Sequence, residues 1–284
     1  MQTFIFKEEI IMKKFFAILL TGVLTLGLAA CGGSEPAADD GSVTLKIGAT
    51  PTPHAEILTA AKDELAAKGI NLEIVEFTDY VQPNLATESG DLDANFFQHT
   101  PYLDQFNADN GTELVSVGTV HYEPMGIFAG TAASLADIPA GAKVGIPNDG
   151  TNGGRALLLL EANGLIKLNP AAGITATKLD VVENPLNLEI LDMEAAQLPL
   201  ALGDLAVAVI NGNFAMQHDL AVADALAIEA ADSLAAETYG NIVAVKAGNE
   251  QAPGVAELME VLQSELIVDY IANTYGGAVV STVK

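Results

Sequence analysis

Cysteine is all but missing from this chain. Cys31 is the single one in 284 residues, so no disulfide can close within the chain and cysteine-pair redox or metal chemistry is excluded. Basic residues are few, 12 Lys and Arg against 37 Asp and Glu, for a formal net charge of −25. That balance argues against nucleic acid and against anionic membrane surfaces as partners. Tryptophan is absent and aromatic residues make up only 6%. No Walker loop, nucleophile elbow or zincin helix occurs, and carboxylates are so common that any Asp–Glu pairing is uninformative. The chain offers no nucleophile–base pair and reads as a non-enzyme. Its four histidines, His54, His99, His121 and His218, include no two at i, i+3 or i+4, so a metal site would have to be assembled from distant segments. A zinc- or manganese-binding transport lipoprotein stays open as the competing reading.

What is present begins with a leader. Lys13 and Lys14 precede an apolar run, Phe15 to Leu28, that is short for a membrane span. Leu28-Ala29-Ala30-Cys31 follows, with small residues ahead of the cysteine. Residues 1–30 are expected to be a lipoprotein-type signal with its true start at Met12, and Cys31 to be lipidated. Each buried methylene of an acyl chain adds about 0.8 kcal/mol of membrane affinity. Residues 31–42, small, polar and acidic, form a flexible tether. An ordinary secretory signal with a chance cysteine is the plain alternative.

Half of the residues are hydrophobic, enough for a sizeable core in one large domain or two ordinary ones. Strand Thr44–Ala49, helix His54–Lys68 and strand Asn71–Phe77 make a βαβ unit and predict a parallel sheet. Further strands are expected over Asp91–Phe97, Leu114–Val120, Met125–Ala129, Lys143–Ile146, Leu188–Leu191, Leu205–Ile210 and Asn241–Lys246. Helices are expected over Ala195–Leu202, from Phe214 to Leu220, and as one long element over Gly254–Tyr275. In such sheets ligands bind beyond the carboxyl ends of the strands.

The stretch Asn148–Glu161, NDGTNGGRALLLLE, reads as a Gly-rich turn running into an apolar helix with Arg155 in its first turn. A cation is poorly placed there unless an anion joins it, because a helix N-terminus already carries partial positive charge. Free backbone N–H groups and a guanidinium fork would together clamp a carboxylate; an exposed arginine paired with a surface acid is the plain alternative. Asn211, ending an apolar strand, can accept from an ammonium, and Asn152 can position either group. Asn95, Phe96, Phe97, His99 and Tyr102 gather at a strand end, as core packing or as a ligand wall. An aromatic box would suit a thioether, since sulfur–aromatic contacts add about 0.3–1.5 kcal/mol.

Seven strings in order carry a family resemblance: DYVQPN (79–84), DLDANFFQHTPYLDQF (91–106), VHYEPMGIF (120–128), IPNDGTNGGRALLLLEANGLIKL (146–168), DVVENPLNLEI (180–190), VINGNFA (209–215) and GGAV (276–279). The chain resembles the methionine-binding lipoproteins of ABC importers, the NlpA/MetQ family. That resemblance implies an α/β, two-lobed, type II periplasmic-binding-protein fold with ligand in the cleft. One lobe would be residues 43–130 plus 242–284 and the other 131–241. It implies Arg155 at the ligand carboxylate, Asn211 at the amino group and Asn152 as a further polar contact. Tyr80, Phe96, Phe97, His99, His121 and Tyr102 would form the side-chain pocket. It also implies L- or D-methionine or a close derivative as ligand, an ABC permease with a separate ATPase subunit as partner, no cofactor, a monomer, and lipid anchorage at the outer or periplasmic face of the cell membrane. Gly150 and Leu200 depart from the family pattern without touching a proposed contact.

Overall fold

The computed structural model describes residues 42–229 and 238–283. The leader, the lipobox cysteine and nearly all of the tether lie outside the described residues. In chain order the elements are β1 (Val43–Ala49), α1 (Glu56–Ala67), β2 (Ile70–Glu76), α2 (Gln82–Ser89), β3 (Ala94–His99), α3 (Thr100–Asn110), β4 (Leu114–Tyr122) and β5 (Gly126–Ala129). There follow β6 (Lys143–Pro147), α4 (Gly150–Ala162), β7 (Lys167–Leu168), β8 (Val181–Glu183), β9 (Glu189–Met193), β10 (Val207–Ile210), α5 (Gly212–Gln217) and β11 (Ala227–Ile228). The chain ends with β12 (Asn241–Lys246), α6 (Val255–Leu262), α7 (Glu265–Tyr275) and β13 (Val280–Ser281).

Two main sheets result. The first runs β13-β4-β12-β3-β1-β2 and the second β11-β5-β10-β6-β9, with β7 and β8 as a separate pair. As the βαβ pattern predicts, β1 is parallel to both β2 and β3. Strand β12 enters antiparallel between β3 and β4, so the C-terminal part of the chain completes the first sheet. In the second sheet β6 is parallel to β9 and β10, and β5 is antiparallel to β10. Because β5 belongs to the second sheet, the chain first crosses between sheets at residues 123–125, before the position near 130 that the resemblance implied.

Each sheet has its own apolar core. Ile57, Leu58, Ala61 and Leu65 recur at helical spacing on α1 and pack with Leu258, Leu262, Ile267 and Ile271 of α6 and α7. In the second sheet β10 (VAVI) is buried along its whole length, the pattern of a central strand covered on both faces.

Three local expectations give way. The long C-terminal helix is two helices, because Ser264 between them is extended (φ −76, ψ 162), its hydroxyl donating back to the Val261 carbonyl at 2.7 Å. Residues 195–204 form short 3-10 turns rather than one helix, since Pro199 cannot continue a helix begun before it. Residues 51–55 are an irregular turn containing Pro51 and Pro53, and α1 begins only at Glu56.

Candidate functional site

A cavity lies where the ends of β3, β10 and β12 meet the start of α4. Its lining includes Tyr80, Phe97, His99, Tyr102, Glu123, Asn152, Arg155, Asn211, Asn213 and Asn241, and it encloses at most about 330 Å³. Of the residues expected from sequence, Tyr80, Phe97, His99, Tyr102, Asn152, Arg155 and Asn211 are brought together here. Phe96 and His121 are not. They sit one layer back, 5.3 Å apart between ring centroids, with Phe96 inside the core of the first sheet. Strand alternation sends Phe96 into the core of the first sheet and Phe97 to the opposite face, among the rings of the cavity wall.

Arg155 is buried, 4% exposed. Its helix begins differently from the expectation. Asp149 is the N-cap, its carboxylate accepting from the Asn152 backbone N–H at 2.8 Å. The Gly-rich run is therefore helix, Arg155 falls in the second turn, and the helix terminus is already capped from within. Gly154 makes this packing possible, because a Cβ there would lie 2.7 Å from the carbonyl oxygen of Ile174. The anion that joins Arg155 is Glu229. Its carboxylate accepts from Nε at 2.8 Å and from Nη2, a two-pronged pair, while Nη2 also reaches the Glu123 carbonyl at 2.9 Å. Burial lowers the arginine's pKa, but the adjoining Glu229 carboxylate outweighs it and leaves the guanidinium above its ordinary value. Tyr239 stacks on the guanidinium at 4.4 Å, and the Tyr122 ring lies at 5.6 Å on the same cation. Glu229 also accepts from the Tyr122 hydroxyl and the Met125 backbone N–H, at 2.7 and 2.8 Å.

Asn152 is fully engaged. Its carbonyl oxygen accepts from Asn211 Nδ2 at 2.9 Å and meets His99 Nε2 at 3.1 Å, and its Nδ2 donates to Asp149. His99 Nδ1 accepts from the Tyr102 backbone N–H at 3.2 Å, capping α3. The Nε2–H tautomer of neutral His99 satisfies both contacts. Burial, and next the charge of Arg155, push its pKa down to about 3. Asn152 and His99 thus fix one another across the two sheets.

Two polar groups of the lining have no internal partner. Among the described residues, Asn211 Oδ1 and Asn213 Nδ2 are buried without a hydrogen bond. An orphan acceptor beside an orphan donor is costly unless a ligand or water meets them, and together they suit a molecule with both an ammonium and an acid group. On the other side the rings of Tyr80, Phe97, Tyr102 and Phe214 pack against one another, Tyr80 and Phe214 at 4.8 Å. The Tyr80 hydroxyl donates to Asn213 Oδ1.

Behind the cavity, His54, His121 and Glu123 converge, with His121 Nε2 at 2.7 Å and His54 Nε2 at 3.3 Å from Glu123 Oε1. His54 is otherwise satisfied, by Thr50 Oγ1 at 2.7 Å and Asn241 Oδ1 at 3.0 Å. His99, which the metal reading would add, is committed to Asn152 and Tyr102. Sequence reasoning missed Glu123, Asn213, Phe214, Glu229, Tyr239 and Asn241. Asn213 and Glu123 stand inside strings already singled out, VINGNFA and VHYEPMGIF, so their signal was present.

The family model described as NlpA lipoprotein matches residues 45–283. The D-methionine-binding lipoprotein MetQ of Salmonella typhimurium is 39% identical over 270 residues, covering 94% of this chain and 97% of its own. Among solved structures, a lipoprotein from Ruminococcus gnavus superposes with a TM-score of 0.83 at 52% identity, covering 84% of this chain and 98% of its own. A nutrient-binding protein from Burkholderia cenocepacia bound to methionine gives a TM-score of 0.79 at 41% identity, covering 84% and 99%. With the β2-β1-β3-β12-β4 order of the first sheet, these neighbours show a two-lobed periplasmic-binding-protein fold of type II. The comparisons do not favour the metal reading.

Proposed function

The chain belongs to the NlpA lipoprotein family, and from that premise we propose that it captures methionine, or a close derivative, outside the membrane and delivers it to an ABC importer. The observation that carries this reading is the small cavity lined by an orphan acceptor, an orphan donor and the packed rings of Tyr80, Phe97 and Tyr102. The cavity, at most about 330 Å³, is too small for an oligopeptide. In this assignment the thioether lies among Tyr80, Phe97, Tyr102 and Phe214. Arg155, Asn213 and the α5 start face the acid group, and Asn211 Oδ1 faces the ammonium. Asn152 and His99 hold Asn211 and the lobes in register.

The first lobe comprises about residues 43–122 and 241–284 and the second the segment between, with hinges at the two crossings. A ligand touching both lobes drives closure through its greater affinity for the closed state. The permease and its ATPase subunit are separate chains, Cys31 carries the lipid anchor, and the protein acts as a monomeric carrier rather than an enzyme. Among the described residues no helix is long and apolar enough to cross a membrane. Native mass spectrometry of freshly purified protein tests the reading. It should show an adduct of methionine mass, lost on partial unfolding and refolding; an adduct of another class, or a tightly held metal ion, would overturn it.

A further inference from the structure

One imidazole sits where both crossings of the chain between the sheets meet. The first crossing is residues 123–125, and the second lies between β11 and β12, ahead of Asn241. His54 is 1% exposed and belongs to neither. It stands on the irregular turn after β1, where its Nδ1 lies 2.7 Å from Thr50 Oγ1. Its Nε2 lies 3.0 Å from Asn241 Oδ1 and 3.3 Å from Glu123 Oε1. Burial holds the ring neutral, with its pKa lowered to about 4. The Nε2–H tautomer then donates toward both oxygens, and Nδ1 accepts from the Thr50 hydroxyl. Glu123 Oε1 also has His121 Nε2 at 2.7 Å. Burial raises the Glu123 carboxyl pKa, with His54 and Arg155 pulling the other way. Asn241 stands where the β12–β4 register shifts, between Asn241 and Ile242, and such an irregularity re-aims a side chain. The turn that carries His54 is itself fixed. Glu56 accepts from the Thr52 and Tyr275 hydroxyls at 2.8 and 2.7 Å, and Gln217 Nε2 of α5 donates to the Thr52 carbonyl at 3.3 Å.

Resting on the two-lobed carrier reading above, we infer that His54 is a positioning residue for the hinge, pinning the first-lobe ends of both crossings to one fixed point at the end of β1. A hinge made of two chain segments has two pivots. One rotation closes the lobes only if the spacing of those pivots is fixed, and a single side chain bonded at both fixes it. The ring cannot swing away, because Phe96 packs edge-on at 4.8 Å and His121 lies tilted at 4.9 Å. His54 is not among the residues that line the cavity. Its removal therefore uncouples the pivots without deleting a lining side chain. The closed form then holds its ligand less well, while the open form captures it as before, so the change falls on dissociation.

The test is the rate at which the full chain releases radiolabelled L-methionine into an excess of unlabelled methionine, read by rapid filtration, together with the association rate. His54→Ala should release methionine roughly three- to tenfold faster, the range that loss of one buried hydrogen bond allows. Association should stay within about twofold of wild type. A role in stability alone would lower the thermal midpoint and leave release unchanged. Where His54→Ala shows no cooperative thermal transition, Thr50→Val takes its place with the same expected result, since it removes the partner of Nδ1 and lies outside the cavity lining. Asn241 does line the cavity, so it enters through a double-mutant cycle. His54→Ala combined with Asn241→Ala should release ligand no faster than the quicker of the two single variants. Unchanged release in the folded variant, or single effects that multiply in the double, overturns the inference and leaves methionine capture intact. No binding of methionine to the wild-type chain removes the functional reading and this inference with it.

Discussion

Arg155 shows what a single residue position could and could not reveal. The sequence puts it in a helix's first turn and so asks for an anion there; it lies in the second turn of a helix capped by Asp149, and what asks for the anion is its burial. The anion itself was not readable, because Glu229 lies 74 residues away and is one acid among many. The pair is buried on both sides, so removing one partner strands a charge. Arg155→Ala should cost about 3–5 kcal/mol of stability and shift the denaturant midpoint accordingly. Arg155→Ala combined with Glu229→Ala should be less destabilised than Arg155→Ala alone; a double variant at least as unstable as the simple sum would show that the pair is not the unit described. The buried histidines make a second prediction. Burial pushes His54 to about 4 and His99 and His121 to about 3, below the ordinary value of 6.5. These groups stay neutral in the folded chain and take up protons on unfolding. Stability is therefore undiminished by them above pH 6.5 and lost as pH falls toward their folded values. Burial raises the pKa of Glu123, so that group acts with the opposite sign. The thermal midpoint should begin to drop below about pH 6.5, and the drop should be shallower in His54→Gln. A midpoint flat or rising between pH 7 and 5 contradicts this.

At the scale of elements, periodicity carried the parallel core of each lobe. The βαβ start of the first sheet and the apolar run of β10 follow from spacing alone. Spacing could not place β12 between β3 and β4, because antiparallel insertion from a distant segment leaves no local mark. Nor could it tell a Gly-rich turn from the glycine-bearing first turns of α4. Gly and Asn suit both, and only the Asp149 cap and the close approach of residues 174–176 decide for the helix. The same alternation that makes β3 a strand separates Phe97 from Phe96, a distinction that an aromatic cluster read as a string does not contain. The glycines of α4 differ in what they tolerate. Gly154→Ala would set a Cβ 2.7 Å and 3.0 Å from two backbone oxygens and should cost about 1–3 kcal/mol. Gly150→Ala meets nothing within 4 Å and should stabilise by about 0.4–1 kcal/mol through the unfolded chain. Equal effects in urea unfolding would contradict the packing described for this helix.

At the scale of the whole molecule, the two lobes meet through side chains that a ligand would also touch. Tyr80 of the first lobe packs on Phe214 of the second, and His99 reaches Asn152 across the same gap. One cluster of rings and aliphatic groups, from Tyr80, Phe97 and Tyr102 to Leu198, Ile210 and Phe214, is continuous between them. The proposed closure on a ligand would therefore assemble the site and shut out water together, which suits a carrier that must hold a small amino acid and later release it. The central claim is that this cleft encloses one free methionine between the lobes. Calorimetric titration of the unloaded chain with L- and D-methionine at several temperatures tests it most directly. The account predicts one molecule bound per chain with a negative heat-capacity change. Absence of binding by both enantiomers, in a chain whose thermal transition shows it folded, would contradict it.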